Sequence, residues 1–273
     1  MGNPIWTLVL DLVHWRSEQG GRHLAVTWLE VVAIGAGVGF FSGLFGRGGS
    51  AIATPLLYAA GFPAIVSLAA PLPAALPSTL VASWAYWNTG LVDWEAVGWC
   101  LGVGLPATAL GALATRWIDG AALVLVTDLV AIALGVRFVL RPGSPQEIVK
   151  PVAAYRARLA CVAAGVGIAS GLLANSGGFL LVPLFLTALR MPIKTALATS
   201  LAVSAALAGP GTIVHWALGH IDWTLVAVYA VSSVPLSYLG ARIAIRTQGR
   251  RLERWFGVFI AVLGAALLIV SFR

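Results

Sequence analysis

Residues 37–57 read GVGFFSGLFGRGGSAIATPLL, and residues 165–185 read GVGIASGLLANSGGFLLVPLF. An offset of 128 positions aligns the two stretches, and after one inserted residue the match continues as far as Gly111 and Gly240. The identical pairs include Gly37 and Gly165, Gly39 and Gly167, Ser42 and Ser170, Gly49 and Gly177, Pro55 and Pro183, Trp87 and Trp216, Asp93 and Asp222, and Pro106 and Pro235. Chance does not produce so many identities in register, so the chain contains two copies of one unit.

The composition around these copies is that of a membrane protein. Of the 273 residues, 59% are apolar and only 10% are charged, and the mean hydropathy is +0.92. A soluble domain carries roughly 25% charged residues. The net charge is +7, but the basic residues cluster at the ends of apolar runs, as juxtamembrane charges do. This placement argues against a nucleic-acid partner and for the lipid bilayer.

Each copy divides into five apolar runs. They cover 25–46, 50–61, 64–88, 94–114 and 121–140 in the first repeat, and 153–174, 177–189, 193–218, 222–244 and 253–271 in the second. A crossing needs roughly 20 apolar residues, so the second run of each repeat is too short. We therefore predict an all-α polytopic membrane protein in which each repeat starts with a broken helix or re-entrant hairpin at a glycine-rich turn. The count is ten crossings, or six with two re-entrant hairpins.

The predicted domain limits follow from the same runs. Residues 1–24 form an interfacial segment, 25–140 the first transmembrane repeat, 141–152 a linker, and 153–273 the second repeat. The N-terminal stretch lacks an early basic residue and a clear cleavage site, so it does not read as a secretory signal.

Basic residues decide how the repeats are oriented. If the first two runs of a repeat leave on the side where they enter, the second repeat is inverted relative to the first. Segments 141–158, 190–194 and 246–254, which are rich in Arg and Lys, then share one face. A parallel arrangement separates 141–158 from 246–254. The positive-inside rule favours inverted repeats with both termini outside, and inverted repeats around a midplane site are a transporter architecture.

The two broken helices are the candidate anion site. A helix that begins within the membrane presents free N–H groups and the positive end of its dipole. The predicted binding residues at the breaks are Arg47, Gly48, Gly49 and Ser50 in the first repeat and Asn175, Ser176, Gly177 and Gly178 in the second. The alternative is that these glycines only allow close helix packing.

Arg47 strengthens the case at the first break. An unpaired charge between two apolar runs costs several kcal/mol or more, which an anionic ligand would offset, and the guanidinium fork suits the oxygens of sulfite, sulfonate or carboxylate. The alternative is that the turn reaches the surface and that Arg47 is a topology residue facing the inside.

Further polar candidates lie in the third run of each repeat. Ser78 and Thr79 follow a proline-rich stretch, and Thr199 and Ser200, with Ser204, occupy the equivalent region of the second repeat. Hydroxyls inside helices often bond only their own backbone. His215 is a weaker candidate for ligand or proton binding. The Asp-Trp pairs at 93–94 and 222–223 begin helices and are predicted to be structural caps.

Several kinds of chemistry have no signature in this sequence. There is no Gly-x-x-x-x-Gly-Lys-Ser/Thr loop, His-Glu-x-x-His element or Gly-x-Ser-x-Gly element. Cys100 and Cys161 show no metal or disulfide spacing. We therefore predict no cofactor, no metal and no enzymatic activity, and transport that is passive or coupled to protons or another ion.

The repeated Gly-Val-Gly-x-x-Ser-Gly-Leu, the glycine cluster, the following Pro-Leu and the Gly-x-x-Asp-Trp pattern together resemble the TauE/SafE sulfite exporter family of membrane permeases, over about residues 30–271. The resemblance implies movement of sulfite, sulfoacetate or other organosulfonates. The sequence departs from the family pattern in the first repeat, where Pro71 stands at the position of Ser200. The glycine clusters also differ, since Arg47 in the first corresponds to Asn175 in the second.

Three functions remain in view at this point. The first is a secondary transporter of small anions that works by alternating access in the bacterial inner membrane. A passive channel of the same architecture is the main alternative, and an intramembrane enzyme is the third. A homodimer is conceivable because GxxxG faces are present.

Overall fold

A computed structural model of the chain describes residues 24–46, 49–87, 89–114, 136–140, 152–172, 178–217, 219 and 221–271. These residues form helices and the turns that join them, and the described part contains no β-strand. The predicted interfacial segment up to residue 23 and linker residues 141–151 lie outside the described residues.

Eleven helices are bounded within the described ranges. They are α1 (Leu24–Phe45), α2 (Ser50–Ala59), α3 (Ala64–Ala69), α4 (Pro71–Trp87), α5 (Trp94–Gly102), α6 (Gly104–Ala114), α7 (Val152–Leu172), α8 (Gly178–Thr187), α9 (Ile193–Ala217), α10 (Trp223–Arg246) and α11 (Gly249–Ser271). The short segment 136–140 is also helical. The helices α2 and α8 have ten residues each, so each is about 15 Å long and covers about half of a bilayer core.

Two apolar runs of the first repeat each form two helices, whereas the equivalent run of the second repeat forms one helix. The run 64–88 is interrupted at Ala70, because Pro71 and Pro73 have no N–H to donate within a helix. The equivalent α9 carries Ser200 and Ala202 instead and continues for 25 residues. The run 94–114 is interrupted at Val103 between two glycines, whereas α10 continues through the same region.

The described helices have the character of membrane helices. Two of them, Trp28–Phe45 within α1 and Trp223–Arg246, are long and apolar enough to cross a membrane, and Ile193–Gly209 within α9 is a shorter apolar segment. Large apolar side chains also lie on the outside of the helices. Leu29 is 72% exposed, Leu110 is 64% exposed and Val231 is 76% exposed, which water would disfavour and lipid would not.

Helices of one repeat pack mainly against helices of the other repeat. Helix α1 packs along α10, and its repeat equivalent α7 packs along α6. Helix α4 lies against α9, its own counterpart. A Cβ atom built on Gly39 would lie 2.3 Å from the Ser233 carbonyl oxygen, and one built on Gly167 would lie 2.4 Å from the Gly104 carbonyl oxygen. Gly167 and Gly104 are the repeat equivalents of Gly39 and Ser233, so the same close crossing occurs twice.

Four segments meet at one end of the helices. The Tyr155 hydroxyl donates to Asp93 Oδ2 at 2.7 Å, and Arg156 pairs with Glu95 at 2.8 Å. On the neighbouring side, Lys194 Nζ donates to the Ile245 carbonyl at 2.6 Å. The Asp93 N–H also donates to Thr199 Oγ1, near the start of α9, at 3.0 Å. The start of α7, the start of α5, the start of α9 and the end of α10 therefore lie at the same end.

Candidate substrate site

The glycines on either side of the first break, Gly46 and Gly49, are packed inside the protein. Gly46 ends α1 with a left-handed φ of +66°, a conformation that glycine adopts without steric cost. A Cβ atom built on Gly46 would lie 2.6 Å from Leu197 Cα, so the turn lies directly on the backbone of α9. Gly49 is buried, and a Cβ atom there would meet Val38 at 2.6 Å and the Tyr229 hydroxyl at 3.5 Å.

The start of α2 therefore lies against α1 and α10, and the turn before it, at Gly46, lies against α9. Gly49 is its N-cap residue and provides no side-chain hydrogen bond to the first turn, while its carbonyl accepts from the N–H groups of Ile52 and Ala53. The first N–H groups of a helix have no partner within the helix and carry a partial positive charge. This end of α2 favours an acceptor or an anion.

Two serines of α9 have buried hydroxyls without partners. Ser200 and Ser204 are 0% and 1% exposed, and neither hydroxyl has a hydrogen-bond partner among the described residues. Thr212, on the same helix, instead donates to the carbonyl four residues earlier, as helical hydroxyls commonly do. Ser200 and Ser204 lie three and seven residues after Leu197, so they share the face of α9 on which the Gly46 turn rests.

A second set of hydroxyls joins α4 to α10. Ser78 Oγ lies 2.9 Å from Ser233 Oγ and donates to the Ala74 carbonyl at 3.0 Å, while Ser237 Oγ donates to the Ser78 carbonyl at 3.0 Å. Tyr229 precedes Ser233 by one helical turn. The contact of Ser78 with Ser233 therefore lies on the same face of α10 as Tyr229, whose hydroxyl is next to Gly49.

The remaining predicted hydroxyls have structural partners. Thr79 Oγ1 donates to the Ala75 carbonyl of its own helix at 2.6 Å. This is the structural role that hydroxyls within helices often have. Thr199 Oγ1 accepts from the Asp93 N–H at 3.0 Å. His215 is on α9, fifteen residues after Ser200, which corresponds to about 22 Å along the helix. The structure does not bring His215 to the turn at Gly46.

Part of the predicted site lies outside the described residues. This applies to Arg47 and Gly48 at the first break and to Asn175, Ser176 and Gly177 at the second. The backbone of Ser50 begins α2 and that of Gly178 begins α8, but the Ser50 side chain is not described. In the part of the chain that is described, no three His, Cys, Asp or Glu residues are grouped closely enough to hold a metal ion.

The structure also adds hydroxyl residues that the sequence did not single out. Ser233 and Ser237 are 1% and 0% exposed and bond to Ser78, and Tyr229 lies beside Gly49. A signal for them was present, because the adjacent Ser232 and Ser233 interrupt an otherwise apolar run beside Pro235. The predicted Asp93 and Asp222 caps are confirmed, since each carboxylate accepts from N–H groups of the helix that follows it.

Comparisons with known proteins identify a family and several probable membrane transporters as relatives. The family described as Sulfite exporter TauE/SafE matches residues 31–267. A probable membrane transporter protein of Xylella fastidiosa (strain 9a5c) is 32% identical over 241 residues, which cover 84% of this chain and 91% of that protein. The probable membrane transporter protein YjnA of Bacillus subtilis (strain 168) is 25% identical over 254 residues, covering 88% and 99%. No solved structure matches the chain. Since the family match covers most of its length, the chain belongs to the sulfite exporter TauE/SafE family.

Proposed function

We propose that the protein is a secondary transporter of small anions in the bacterial inner membrane and that sulfite and organosulfonates are its substrates. Family membership and the relatives named as probable membrane transporters support transport rather than enzymatic chemistry. The substrate class rests on the family description. The anion binds where the start of α2 meets α9 and α10, and its movement is coupled to protons or another ion.

The pair of buried serines on α9 carries this proposal. A buried hydroxyl without a partner costs about 1–3 kcal/mol. Ser200 and Ser204, one helical turn apart, have buried hydroxyls with no partner among the described residues. An oxyanion at this position would accept from both hydroxyls and from the N–H groups that begin α2. These donors are neutral, so Arg47 supplies the positive charge in this proposal.

Inverted repeats provide the mechanism for alternating access. The contacts of Tyr155 and Thr199 with Asp93, and of Lys194 with Ile245, support a common face for the described parts of segments 141–158, 190–194 and 246–254. This common face is expected for inverted repeats and not for parallel ones. The matching crossings at Gly39 and Gly167 support a pseudo-two-fold relation, in which each repeat holds the first helix of the other.

Uptake into proteoliposomes tests the function directly. Radiolabelled sulfite and a small organosulfonate are offered with and without an imposed pH gradient. Saturable uptake that the gradient increases is the expected result. Non-saturating flux that ignores the gradient would make the passive channel the correct function, and absence of flux for both anions would contradict the substrate class.

The double substitution Ser200→Ala with Ser204→Ala tests the site itself. We expect transport to fall at least about tenfold, since charge-assisted hydrogen bonds to the anion are lost. The stability of the empty protein should stay constant or rise, because two unpaired buried hydroxyls are removed. Thermal unfolding in detergent and proteoliposome uptake measure the two effects separately.

Thr212→Val is the matched control for these serines. It also removes a hydroxyl from α9, but that hydroxyl already bonds the Ala208 carbonyl at 2.8 Å. Transport by this variant should stay near the wild-type rate. The site would be wrong if the serine variant lost stability and kept its transport.

Arg47→Ala tests the source of positive charge. We expect transport to be abolished while the protein stays folded and inserted, because an anion within the membrane requires a compensating charge. Uptake and detergent-solubilised yield measure the two parts. Near-normal transport by this variant would contradict the proposal that Arg47 pairs with the anion. The proposal that serine hydroxyls and the start of α2 bind the anion would then be decided by the serine variant.

A further inference from the structure

A groove lies between the last turns of α4 and α10, and neither Ser200 nor Ser204 lines it. Its volume is about 220 Å³, and Trp84, Thr89, Tyr238, Arg242 and Arg246 contribute to its walls. Trp84 is 62% exposed and lies in the last turn of an apolar helix. Tryptophan is enriched at the membrane–water boundary, which places the mouth of the groove at lipid headgroup level.

The positive charge in this groove is not neutralised. Arg242 donates through Nε to the Tyr238 hydroxyl at 2.9 Å, and its guanidinium carbon lies 5.0 Å from the centre of that ring. Arg246 is exposed. Among the residues that the structure describes, no carboxylate lines the groove and neither arginine forms an ion pair. The ammonium group of Lys194 adds a third positive charge at the Ile245 carbonyl.

A second surface depression, also lined by described residues, differs in this respect. It has a volume of about 430 Å³ and is lined by residues of α5 together with Arg156 of α7. There the guanidinium is paired with Glu95 at 2.8 Å. An arginine that is already paired with a carboxylate binds an added anion weakly. Of these two depressions of the described residues, the groove of α4 and α10 is therefore the one that combines a cavity with unpaired charge.

We propose that this groove binds the phosphate of an anionic phospholipid headgroup. Arg242, held in place by Tyr238, and Arg246 donate to the phosphate oxygens, for which the guanidinium fork is well suited. Trp84 contacts the glycerol and the upper acyl chain. Basic pockets between transmembrane helices bind anionic headgroups in this way. A soluble oxyanion offers the same oxygens but no acyl chain for the exposed indole, so the structure favours lipid.

Binding of defined lipids to the full-length protein tests the proposal. Native mass spectrometry of the detergent-solubilised protein, titrated with phosphatidylglycerol or phosphatidylcholine, gives the affinity for each lipid. We expect clear preference for phosphatidylglycerol. Substituting Arg242→Gln together with Arg246→Gln should weaken phosphatidylglycerol binding about tenfold, because charge-assisted hydrogen bonds are lost, and should leave phosphatidylcholine binding unchanged.

A matched variant separates a built site from general charge attraction. Arg250→Gln with Arg251→Gln removes the same charge from two exposed arginines at the start of α11, and it should leave the affinity within about twofold. An equal loss in both variants would overturn the proposal, as would equal binding of the two lipids. Inorganic phosphate is the third probe, and its displacement of phosphatidylglycerol at equal concentration would assign the groove to a soluble oxyanion instead. Arg242→Lys, which keeps the charge but lacks the fork, is the variant to use if the double substitution does not fold.

Discussion

The turn between α4 and α5 and its copy between α9 and α10 have nearly the same backbone. Gly90 and Gly219 have left-handed φ angles of +66° and +72°. Asp93 and Asp222 are extended N-cap residues with φ angles of −87° and −85°, and each accepts from the first turn of the following helix. The Gly-x-x-Asp-Trp pattern thus builds one local structure twice.

The surroundings of the two aspartates differ. Asp93 also accepts from the Tyr155 hydroxyl, and its own N–H donates to Thr199. Among the described residues, Asp222 accepts only from N–H groups of its own helix, those of Thr224 and Leu225. The turn at Asp93 is therefore bonded to the second repeat. Among the described residues, the turn at Asp222 makes no such bond, and its carboxylate only caps α10.

The duplicated sequence explains this difference. At the repeat offsets, the positions of Tyr155 and Thr199 are occupied by Thr27 and Ala70 in the first repeat. The turn motif was retained in both copies, while the side chains that reach it from outside were not. In the proposed transport cycle, two ends must open in turn, and we expect the contacts at Asp93 to break when the end at which they lie opens.

Removing the two carboxylates gives the largest expected effect. Asp93→Ala loses a helix cap and an acceptor for Tyr155, and should cost about 2–4 kcal/mol of unfolding free energy. Asp222→Ala loses only the cap and should cost about 0.5–2 kcal/mol. Unfolding by SDS titration in mixed micelles measures both values. Equal costs would mean that the contact with Tyr155 contributes nothing, and the two turns would then be equivalent in energy as well as in shape.

Tyr155→Phe isolates the contact between the repeats. The helix cap stays, and only a hydrogen bond to a carboxylate is lost, so the expected cost is about 1.5 kcal/mol. The same titration measures it, and Tyr58→Phe, which removes a hydroxyl from an exposed tyrosine, should change nothing. Combined with Asp93→Ala, the tyrosine substitution should have almost no further effect. Additive costs in the double variant would show that the two side chains act independently.

Local sequence patterns predicted the helices better than their continuity. The first run, 25–46, corresponds to α1, and 153–174 corresponds to α7, because long apolar stretches bounded by glycine or charge leave few alternatives. The interruption at Ala70 was not predicted, although Pro71 and Pro73 provide a local reason for it. The length of an apolar run does not show whether it forms one helix or two, since a continuous helix and an interrupted one can have the same apolar composition.

The site was harder to predict, because the state of a hydroxyl depends on its neighbours in space. Thr79 and Ser200 look alike in sequence, as small polar residues within an apolar run. In the structure, Thr79 bonds its own helix, while Ser200 has no partner among the described residues. That difference arises from rotamers and from the packing of Gly46 on α9, which join residues about 150 positions apart. No local pattern contains that information.

The ion pair of Arg156 with Glu95 gives the smallest expected effect at the fastened turn. Both side chains are largely in contact with solvent, at 58% and 42% exposure, so Arg156→Gln should cost less than about 0.5 kcal/mol and less still at high salt. SDS titration at two salt concentrations measures this. A loss as large as that of Tyr155→Phe would show that exposed charge, rather than the bond from Tyr155 to Asp93, holds α7 to α5. The expected order, with the carboxylate first, the phenol second and the guanidinium last, follows from burial and from the number of bonds that each side chain makes.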